Sequence, residues 1–242
     1  MARLDQVLVA RGLVASRARA QAEIAAGSVL VNGAAATKPS QKISDTDAVS
    51  LEVPAIPYVS RAGLKLAKAL EVFDVKVAGK RALDLGASTG GFVEVLLAAG
   101  ATHVTGVDVG QGQLHAKLVT DSRVTSLENT DARALTAELA GAPQIITSDM
   151  SFISLTKALQ PALDLAAAGA DLLALVKPQF EVGRKAVGRG GIVKDEALRQ
   201  AALQNVRDWV NEQQGWQVIA SADSPILGGD GNKEFLLHAR KE

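Results

Sequence analysis

The chain has 242 residues, of which 48% are hydrophobic and 21% charged, with 26 basic and 26 acidic side chains and no cysteine. This composition is typical of a folded protein of one or two domains, and it excludes disulfides, thiolate metal sites and a cysteine nucleophile. Because the formal net charge is zero, a nucleic-acid partner would have to be bound by local basic patches. The histidines lack the spacing of a metal site, so we expect no metal: they are His103, His115 and His238.

The chain shows no targeting or membrane segment. Its N-terminal residues lack the apolar core of a signal peptide. The strongest apolar run, residues 172–176, is far shorter than the roughly 20 residues that cross a bilayer. We therefore expect a cytoplasmic protein with no membrane partner.

Residues 1–53 predict a small α+β domain of two helices and a hairpin. Ser16 is placed to cap the second helix, and Gly27 stands where a helix end favours a left-handed residue. Asn32-Gly33 tolerates positive φ at both positions and predicts a tight hairpin turn. Residues 49–53 alternate as a further short strand.

Basic side chains outnumber acidic ones in this domain, with six bases and two acids in residues 1–42. Such a face is typical of phosphate contacts, although a solvated helix surface would give the same count. The order of elements in residues 16–33 resembles the S-four RNA-binding module shared by a small-subunit ribosomal protein and many pseudouridine synthases. The resemblance implies contacts with structured RNA through the basic residues of the domain, among them Arg3, Arg17, Arg19 and Lys42.

Pro54 and Pro57 mark the predicted linker between two domains. Proline removes a backbone donor and restricts the residue before it, which disfavours regular structure. We place the linker at residues 54–60, and the second domain at residues 61–242.

From about residue 80, strands alternate with helices, which predicts an α/β domain of Rossmann-like fold with a parallel sheet covered on both faces. The ligands of such sheets bind beyond the carboxyl ends of the strands, and Asp84, Asp108, Asp149 and Lys177 all stand at such ends. The predicted parallel strands are residues 81–85, 103–109, 124–127, 144–147 and 172–176, with helices near 92–99 and 197–206 and a closing antiparallel pair at 217–220 and 234–238.

Residues 84–92, with the sequence DLGASTGGF, predict a ligand-binding junction from a strand through a glycine loop to a helix. A dinucleotide loop needs Gly-x-Gly-x-x-Gly, and Ser88 stands in place of its second glycine, so a nicotinamide dehydrogenase is the less favoured alternative. An acid followed by Gly-x-x-x-Gly resembles the first motif of S-adenosylmethionine-dependent methyltransferases. The resemblance implies that S-adenosyl-L-methionine is bound by Asp84, Gly86, Ser88, Gly90, Gly91 and Phe92.

Two further acids extend the predicted cofactor site. Asp108 ends the second strand of the sheet, where a carboxylate can accept both hydroxyls of a ribose. Asp131 follows the third strand and is placed to meet the adenine amine, although an acid there could equally be an ordinary loop residue.

Four residues far apart in sequence predict the reaction: Lys65, Asp149, Lys177 and Glu234. The predicted fold brings each of them near the cofactor. Lysines and carboxylates that share a partly buried site perturb each other's pKa, and a lysine with a lowered pKa can serve as a base toward a weakly nucleophilic ribose hydroxyl. We expect Asp149 and Glu234 to hold Lys177, and Lys65 to balance the acids and fix the target nucleotide. Any one of them alone could be a surface ion pair.

The chain resembles the TlyA family of ribosomal RNA 2′-O-methyltransferases, sometimes labelled hemolysins. The family is similar to FtsJ-type methyltransferases in carrying a Lys-Asp-Lys-Glu tetrad, which falls on the four residues above. The resemblance implies methylation of the ribose of a cytidine in ribosomal RNA of the small subunit, the large subunit or both. An inactive RNA-binding assembly factor and a membrane-active hemolysin are the alternatives. The segments that carry the resemblance are residues 58–66, 84–92, 148–155, 176–181 and 231–235.

Residues 183–194 follow Lys177 closely and contain four bases, four glycines and no acid. This composition predicts a flexible basic loop that contacts RNA through Arg184, Lys185 and Arg189 and closes on binding. The alternative is an insertion without fixed structure.

Overall fold

The computed structural model describes residues 2–14, 16–25, 27–36, 38–51, 57–183, 186–228 and 231–242, without the side chains of Ala22 and Arg189. The chain forms two compact units, residues 1–57 and 58–242. Tyr58, Val59 and Ser60, which belong to the predicted linker, lie in the second unit, where Val59 N donates a 2.6 Å hydrogen bond to Glu94. The domain boundaries at residues 53 and 61 stay predictions.

The first unit has the two helices and the hairpin expected from the sequence. Ser16 caps its second helix, since Ser16 Oγ accepts a hydrogen bond from Arg19 N at 3.2 Å. Asn32 and Gly33 have φ angles of 52° and 79°, as the predicted tight turn requires. The last two residues of the predicted strand 49–53 lie outside the described residues. The elements of this unit are β1 (Ala2–Arg3), α1 (Leu4–Ala10), α2 (Arg17–Ala25), β2 (Val29–Val31), β3 (Ala34–Ala35), β4 (Lys42–Ile43) and β5 (Val49–Leu51).

The second unit alternates strands and helices, as its hydrophobic pattern predicts. Its strands are β6 (Arg81–Leu85), β7 (His103–Val107), β8 (Val124–Leu127), β9 (Ile145–Ser148), β10 (Asp171–Val176), β11 (Trp216–Asp223) and β12 (Phe235–Lys241). Its helices are α3 (Ala62–Phe73), α4 (Gly91–Ala98), α5 (Ala116–Val119), α6 (Ala137–Ala140), α7 (Leu155–Ala158), α8 (Gln160–Leu165), α9 (Pro178–Glu181) and α10 (Glu196–Asn211).

One seven-stranded sheet organises the second unit, in the order β11-β12-β10-β9-β6-β7-β8. The five strands from β10 to β8 are parallel, and β12 is antiparallel both to β10 and to β11. The predicted α/β fold with an antiparallel closing pair is therefore confirmed. Because β6 and β9 are neighbours whose connections run in opposite directions, the carboxyl ends of β6, β9 and β10 meet at the switch point of the sheet, where such folds bind ligands.

Apolar side chains cover both faces of this sheet. One cluster contains Leu83, Leu85 and Ile146, and the opposite one contains Ala82 and Leu173. Alternate residues of β6 thus face opposite layers, which fixes the register of the strand against slippage. In the part of the chain that the structure describes, no helix is long and apolar enough to cross a membrane.

Several predicted strand limits differ from the structure by one or more residues, and two of these differences concern site residues. The second strand ends at Val107, not at Val109, whose side chain is 70% exposed. The last strand begins at Phe235, so that Glu234 precedes it. Asp108 and Glu234 therefore lie in connections beside the strands. Their side chains are not bound to alternate between the two faces of the sheet.

Candidate active site

Two neighbouring cavities lie at the carboxyl ends of the parallel strands. The larger has a volume of about 580 Å³ and is lined by Asp108 and Asp131, among others. The smaller, of about 340 Å³, is lined by Lys65 and Lys177. Gly86, Ser88, Asp149 and Ser151 line both, so the two cavities share a wall. A ligand in the larger cavity therefore lies next to the lysines of the smaller one.

Close approach of other chain segments explains the glycines of the loop after β6. Gly86 has a φ of 83°, and a Cβ there would lie 3.1 Å from the backbone of Met150. Gly90 has a φ of 92° and immediately precedes α4, and a Cβ on it would overlap the side chain of Leu118. A Cβ on Gly91 would overlap Ser60 Oγ. The loop is therefore held between neighbours with its backbone at the cavity wall, as a ligand cradle requires.

Two more members of the predicted cofactor set, Ser88 and Phe92, line the cavities in different ways. Ser88 adopts a φ of 46°, and its N–H donates to Asp108 at 2.8 Å. Phe92 lies at the wall of the smaller cavity but is only 4% exposed and belongs to the apolar core. Its contribution is a rigid wall rather than a polar contact.

Asp84 is buried beneath the glycine loop. Its side chain does not belong to the lining of either cavity, and its exposure is 0%. Oδ1 accepts a 2.7 Å hydrogen bond from Thr147 Oγ1, whereas Oδ2 has no partner among the described residues. Burial raises the pKa of Asp84 to about 7, against the opposing effect of the Thr147 hydrogen bond. An unpartnered buried carboxylate of this kind attracts a cation placed above it.

Asp108 stands at the rim of the larger cavity, directly after β7. Its two oxygens accept hydrogen bonds from the backbone, Oδ1 from Gly110 N at 2.7 Å and Oδ2 from Ser88 N at 2.8 Å. Each oxygen keeps a further lone pair for a ligand hydroxyl. The carboxylate is thus fixed in one orientation before any ligand arrives.

Asp131 lines the same cavity but is held by a neighbour. Arg133 donates to it from the backbone N at 2.9 Å and from Nη2 at 2.6 Å. The hydrogen bonds from Arg133 lower the pKa of Asp131 to about 2. Asp131 also caps the short turn Ala132–Ala134. The predicted contact with an adenine amine stays a prediction.

Lys177 and Asp149 form one of two ion pairs at the smaller cavity. Lys177 Nζ lies 2.7 Å from Asp149 Oδ1, 2.9 Å from Ser151 Oγ and 3.1 Å from the carbonyl oxygen of Asp149. The contact with Asp149 Oδ1 is an ion pair, but this oxygen has no partner of hydrogen-bond geometry among the described residues. The side chain of Lys177 is only 9% exposed, so the pair is shielded from bulk water.

Lys65 and Glu234 form the second ion pair, with 2.5 Å between Lys65 Nζ and Glu234 Oε2. Both side chains are less than 10% exposed. The expectation that Glu234 holds Lys177 is therefore wrong in the described structure, because the helix α3 brings Lys65 nearer to the start of β12. The four residues form two ion pairs, in which each buried lysine meets one carboxylate, the buried Glu234 or the partly buried Asp149.

Three of the four predicted RNA contacts of the first unit form ion pairs. Arg3 and Arg17 both bond to the buried Asp5, and Arg19 Nε lies 2.9 Å from Glu23 Oε1. Lys42 is exposed on β4. In the basic loop, Arg184, Lys185 and the side chain of Arg189 lie outside the described residues.

Part of the basic loop is anchored, which the sequence did not indicate. The side chain of Asn232, 1% exposed, accepts a hydrogen bond from Val193 N and donates one to the carbonyl oxygen of Gly191, both of 2.9 Å. Arg199 donates to the carbonyl oxygens of Val193 and Lys194. The expected flexibility does not extend to residues 191–194.

Sequence reasoning missed two residues that shape the segment after Asp149. Phe152 is 91% exposed with a φ of 67°, at the rim of the larger cavity. Glu181 accepts hydrogen bonds from Ser154 Oγ at 2.6 Å and Leu155 N at 2.9 Å, and so ties this segment to the one that follows Lys177. The only available signal was their place in motif segments, since neither spacing nor composition distinguishes them.

A glycine cradle and buried lysine–carboxylate pairs at the switch point of this sheet define the class of S-adenosylmethionine-dependent methyltransferases. Residues 58–241 match the FtsJ-like methyltransferase family, and residues 2–49 match the S4 domain. The chain belongs to the FtsJ-like methyltransferase family, and the predicted relation to TlyA proteins is confirmed by its similarity to members of that group.

Full-length relatives support this assignment. The chain is 46% identical to the 16S/23S rRNA (cytidine-2′-O)-methyltransferase TlyA of Mycobacterium tuberculosis, over 100% of this chain and 90% of the relative. It is 42% identical to the protein named Hemolysin A of Brachyspira hyodysenteriae, over 98% of each. A solved structure from Streptococcus thermophilus, described as a hemolysin, matches with a TM-score of 0.76 at 40% identity, over 99% of this chain and 88% of that one.

Proposed function

We propose that this protein transfers a methyl group from S-adenosyl-L-methionine to the ribose 2′-hydroxyl of a cytidine in ribosomal RNA. The observation that carries the proposal is the shared wall between the glycine cradle and the cavity of the two lysine–carboxylate pairs. The TlyA protein of Mycobacterium tuberculosis, which is 46% identical to this chain, is named as a cytidine-2′-O-methyltransferase of 16S and 23S rRNA.

The residues present fit the cofactor. Gly86 and Gly91 place backbone at the cavity walls, and Asp108 offers two oriented oxygens to ribose hydroxyls. The unpartnered oxygen of Asp84 supplies negative charge beneath the cradle for a ligand ammonium. When bound, S-adenosyl-L-methionine supplies a methyl group on a positively charged sulfur.

Lys177 is proposed to orient the attacking oxygen. An ammonium has three N–H bonds, and Lys177 Nζ has three oxygen neighbours, two from Asp149 and one from Ser151. An incoming 2′-hydroxyl can replace the hydroxyl of Ser151 without loss of a charged contact, because both are neutral acceptors. The hydrogen bond from Lys177 then fixes the direction of the oxygen lone pairs, and such placement is the main requirement of an in-line transfer.

Asp149 is proposed to receive the proton of that hydroxyl. Asp149 Oδ1 is buried and lacks a partner of hydrogen-bond geometry in the described residues, so it retains a lone pair beside Lys177. The proton of the attacking hydroxyl would pass to this carboxylate, and the Lys177 ammonium would stabilise the partial negative charge that the oxygen gains as the proton leaves. Lys65 lines the smaller cavity, and Glu234 balances its charge.

RNA is proposed to be bound by both units of the chain. The S4 match and the excess of four bases in residues 1–42 favour phosphate contacts by the first unit. In the second unit, Phe152 presents an exposed ring at the cavity rim, where an unstacked base could lie against it.

The test is methyl transfer to ribosomal RNA with mapping of the product. Purified protein, radiolabelled S-adenosyl-L-methionine and ribosomal subunits or naked ribosomal RNA are combined, and 2′-O-methylated positions are mapped by resistance of the backbone to alkaline cleavage. We expect methylation of discrete cytidines. Label on bases alone, or no label with either substrate, would contradict the proposal and favour an inactive assembly factor.

The matched control is an exposed lysine remote from the site. Lys76, whose side chain is 77% exposed, stands just before β6, at the opposite edge of the sheet from the cavities. The Lys76→Ala variant should methylate ribosomal RNA at the wild-type rate, whereas the Lys177→Ala variant should be much slower. Equal loss in both variants would mean that charge in general, rather than the site, is being measured.

A further inference from the structure

A buried carboxylate lies at the centre of the basic surface of the first unit. Asp5, in the first turn of α1, has an exposed fraction of 0%, whereas the side chains that surround it are partly exposed. Arg3 donates to it from Nε at 3.0 Å and from Nη2 at 3.1 Å, and Arg17 donates from Nε at 2.9 Å. Gln21 adds a longer contact of 3.3 Å.

This arrangement brings two guanidinium groups to one anchor. Arg3 immediately precedes α1 and Arg17 begins α2, so the carboxylate joins the starts of two helices that the sequence separates by 12 residues. Asp5 accepts two of the five N–H bonds of Arg3 and one of those of Arg17. In the described part of the chain, no further acceptor bonds to either group, and 35% and 53% of the two side chains stay exposed.

The two arginines are also held in a place that would otherwise disfavour them. A cation at the start of a helix opposes the helix dipole, and Arg17 is the first residue of α2. The hydrogen bonds from Arg3, and then those from Arg17 and Gln21, hold the pKa of Asp5 far below its usual range, so the anchor is charged at neutral pH. The cluster of Arg3, Arg17 and Asp5 therefore carries one net positive charge. Only three of the ten guanidinium N–H bonds are donated to the carboxylate.

We propose that Asp5 is a positioning residue that holds Arg3 and Arg17 as a two-guanidinium clamp for a phosphate of RNA. The inference rests on the proposed function of the first unit in RNA binding, and adds to it the residue that orients the contact. Two planar guanidiniums with fixed directions offer paired N–H bonds to phosphate oxygens and lose less conformational entropy on binding than two free side chains.

The proposal predicts an effect opposite in sign to simple electrostatics. Asp5→Asn raises the net charge of the chain by one, which by counterion release alone would strengthen RNA binding. If the carboxylate positions the arginines, the same substitution weakens binding, because the clamp is released. Asp45→Asn is the matched control, since Asp45 is an exposed acid of the same unit and its loss changes the charge equally.

The experiment measures binding of the full chain to in-vitro transcribed ribosomal RNA by filter retention, over about 0.05 to 0.3 M salt. We expect Asp5→Asn to bind about tenfold more weakly and with a salt slope lower by roughly one to two, as for the loss of one or two phosphate contacts. Asp45→Asn should bind as tightly as the wild type or more tightly. Binding by Asp5→Asn that equals or exceeds the wild type would overturn the clamp.

A second variant keeps the proposal testable if Asp5→Asn does not fold. Arg3→Lys with Arg17→Lys preserves every charge and the carboxylate, but an ammonium cannot make the parallel N–H bonds of a guanidinium. We expect several-fold weaker binding, and unchanged affinity would overturn the clamp. If the wild-type chain itself retains no ribosomal RNA, the proposed function fails; if it binds while both tests show no loss, only the clamp fails.

Discussion

We expect the buried carboxyl of Asp84 to make cofactor binding depend on pH. Asp84 is fully buried under the glycine loop, with one oxygen bonded to Thr147 and the other without a partner in the described residues. Burial raises its pKa to about 7, and the nearby charges of Asp149 and Asp108 add to the increase. The group is therefore half ionised near neutral pH, whereas the ammonium of the proposed cofactor is attracted only by the ionised form.

The magnitude follows from this pKa. With a pKa of about 7, the ionised fraction of Asp84 is about a tenth at pH 6 and about nine tenths at pH 8. If only the ionised form binds well, the affinity for S-adenosyl-L-methionine should rise about eight- to tenfold between these values. Binding should also release protons below pH 7, because a bound cation lowers the pKa of the carboxyl.

The assay is calorimetric titration at pH 6, 7 and 8, in two buffers of different ionisation enthalpy so that released protons are counted. Asp84→Asn should bind about tenfold more weakly at pH 8 and with no pH dependence. Asp121→Asn is the control, because hydrogen bonds from Arg123 lower the pKa of Asp121 to about 2 and it does not titrate in this range. A flat wild-type affinity, with Asp84→Asn equally tight, would refute the reasoning.

The same carboxyl affects the stability of the unliganded protein, and the sign follows from the direction of the shift. Because the folded-state pKa of Asp84 is raised, its contribution is fully present below pH 4 and is lost as pH rises toward 7. A shift of about three units corresponds to a loss on the order of 4 kcal/mol in the free energy of unfolding. Asp84→Asn should remove this component from denaturant titrations at pH 4 and pH 7.

Four further substitutions test the site. Lys177→Ala should lower methyl transfer more than about hundredfold with the cofactor affinity unchanged, by single-turnover kinetics and calorimetry. Gly90→Ala should lower the melting temperature and weaken cofactor binding, because an alanine at a φ of 92° is strained and its methyl would overlap a leucine of α5. Glu181→Ala should lower kcat about tenfold, with recovery in Glu181→Gln, which still offers an oxygen to Leu155 N. Phe152→Ala should raise KM for RNA about tenfold while KM for the cofactor stays constant.

Each of these expectations has a distinct contrary result. Methyl transfer by Lys177→Ala at nearly the wild-type rate would show that Lys177 has no role in the reaction. Unchanged melting of Gly90→Ala would mean that the loop relaxes freely. Equal losses in both Glu181 variants would indicate a charge effect, and a change in cofactor KM alone would assign Phe152 to the cofactor instead of the RNA.

Local rules made much of the architecture predictable. Continuous runs of mainly apolar residues identified the strands around Asp84, Asp149 and Lys177, since the strands of a parallel sheet are buried on both faces. The Asn32-Gly33 turn and the glycine loop were identified because positive φ is a property of single residues. The placement of Asp149 and Lys177 at one edge followed from the parallel strands, since their carboxyl ends lie together, whereas Lys65 lies on α3 and Glu234 precedes the antiparallel β12.

Only the tertiary structure decided which charges meet. Glu234 pairs with Lys65 and not with Lys177, and Asp5 joins arginines from the starts of two helices. Such pairing depends on which side chains the path of the chain brings within about 3 Å in a poorly solvated place, and no spacing in the sequence encodes that competition. The sequence by itself determined which segments along the chain form strands and which residue types stand at the ends of those strands. The folded chain determined the partners, because charge pairing depends on distance and burial.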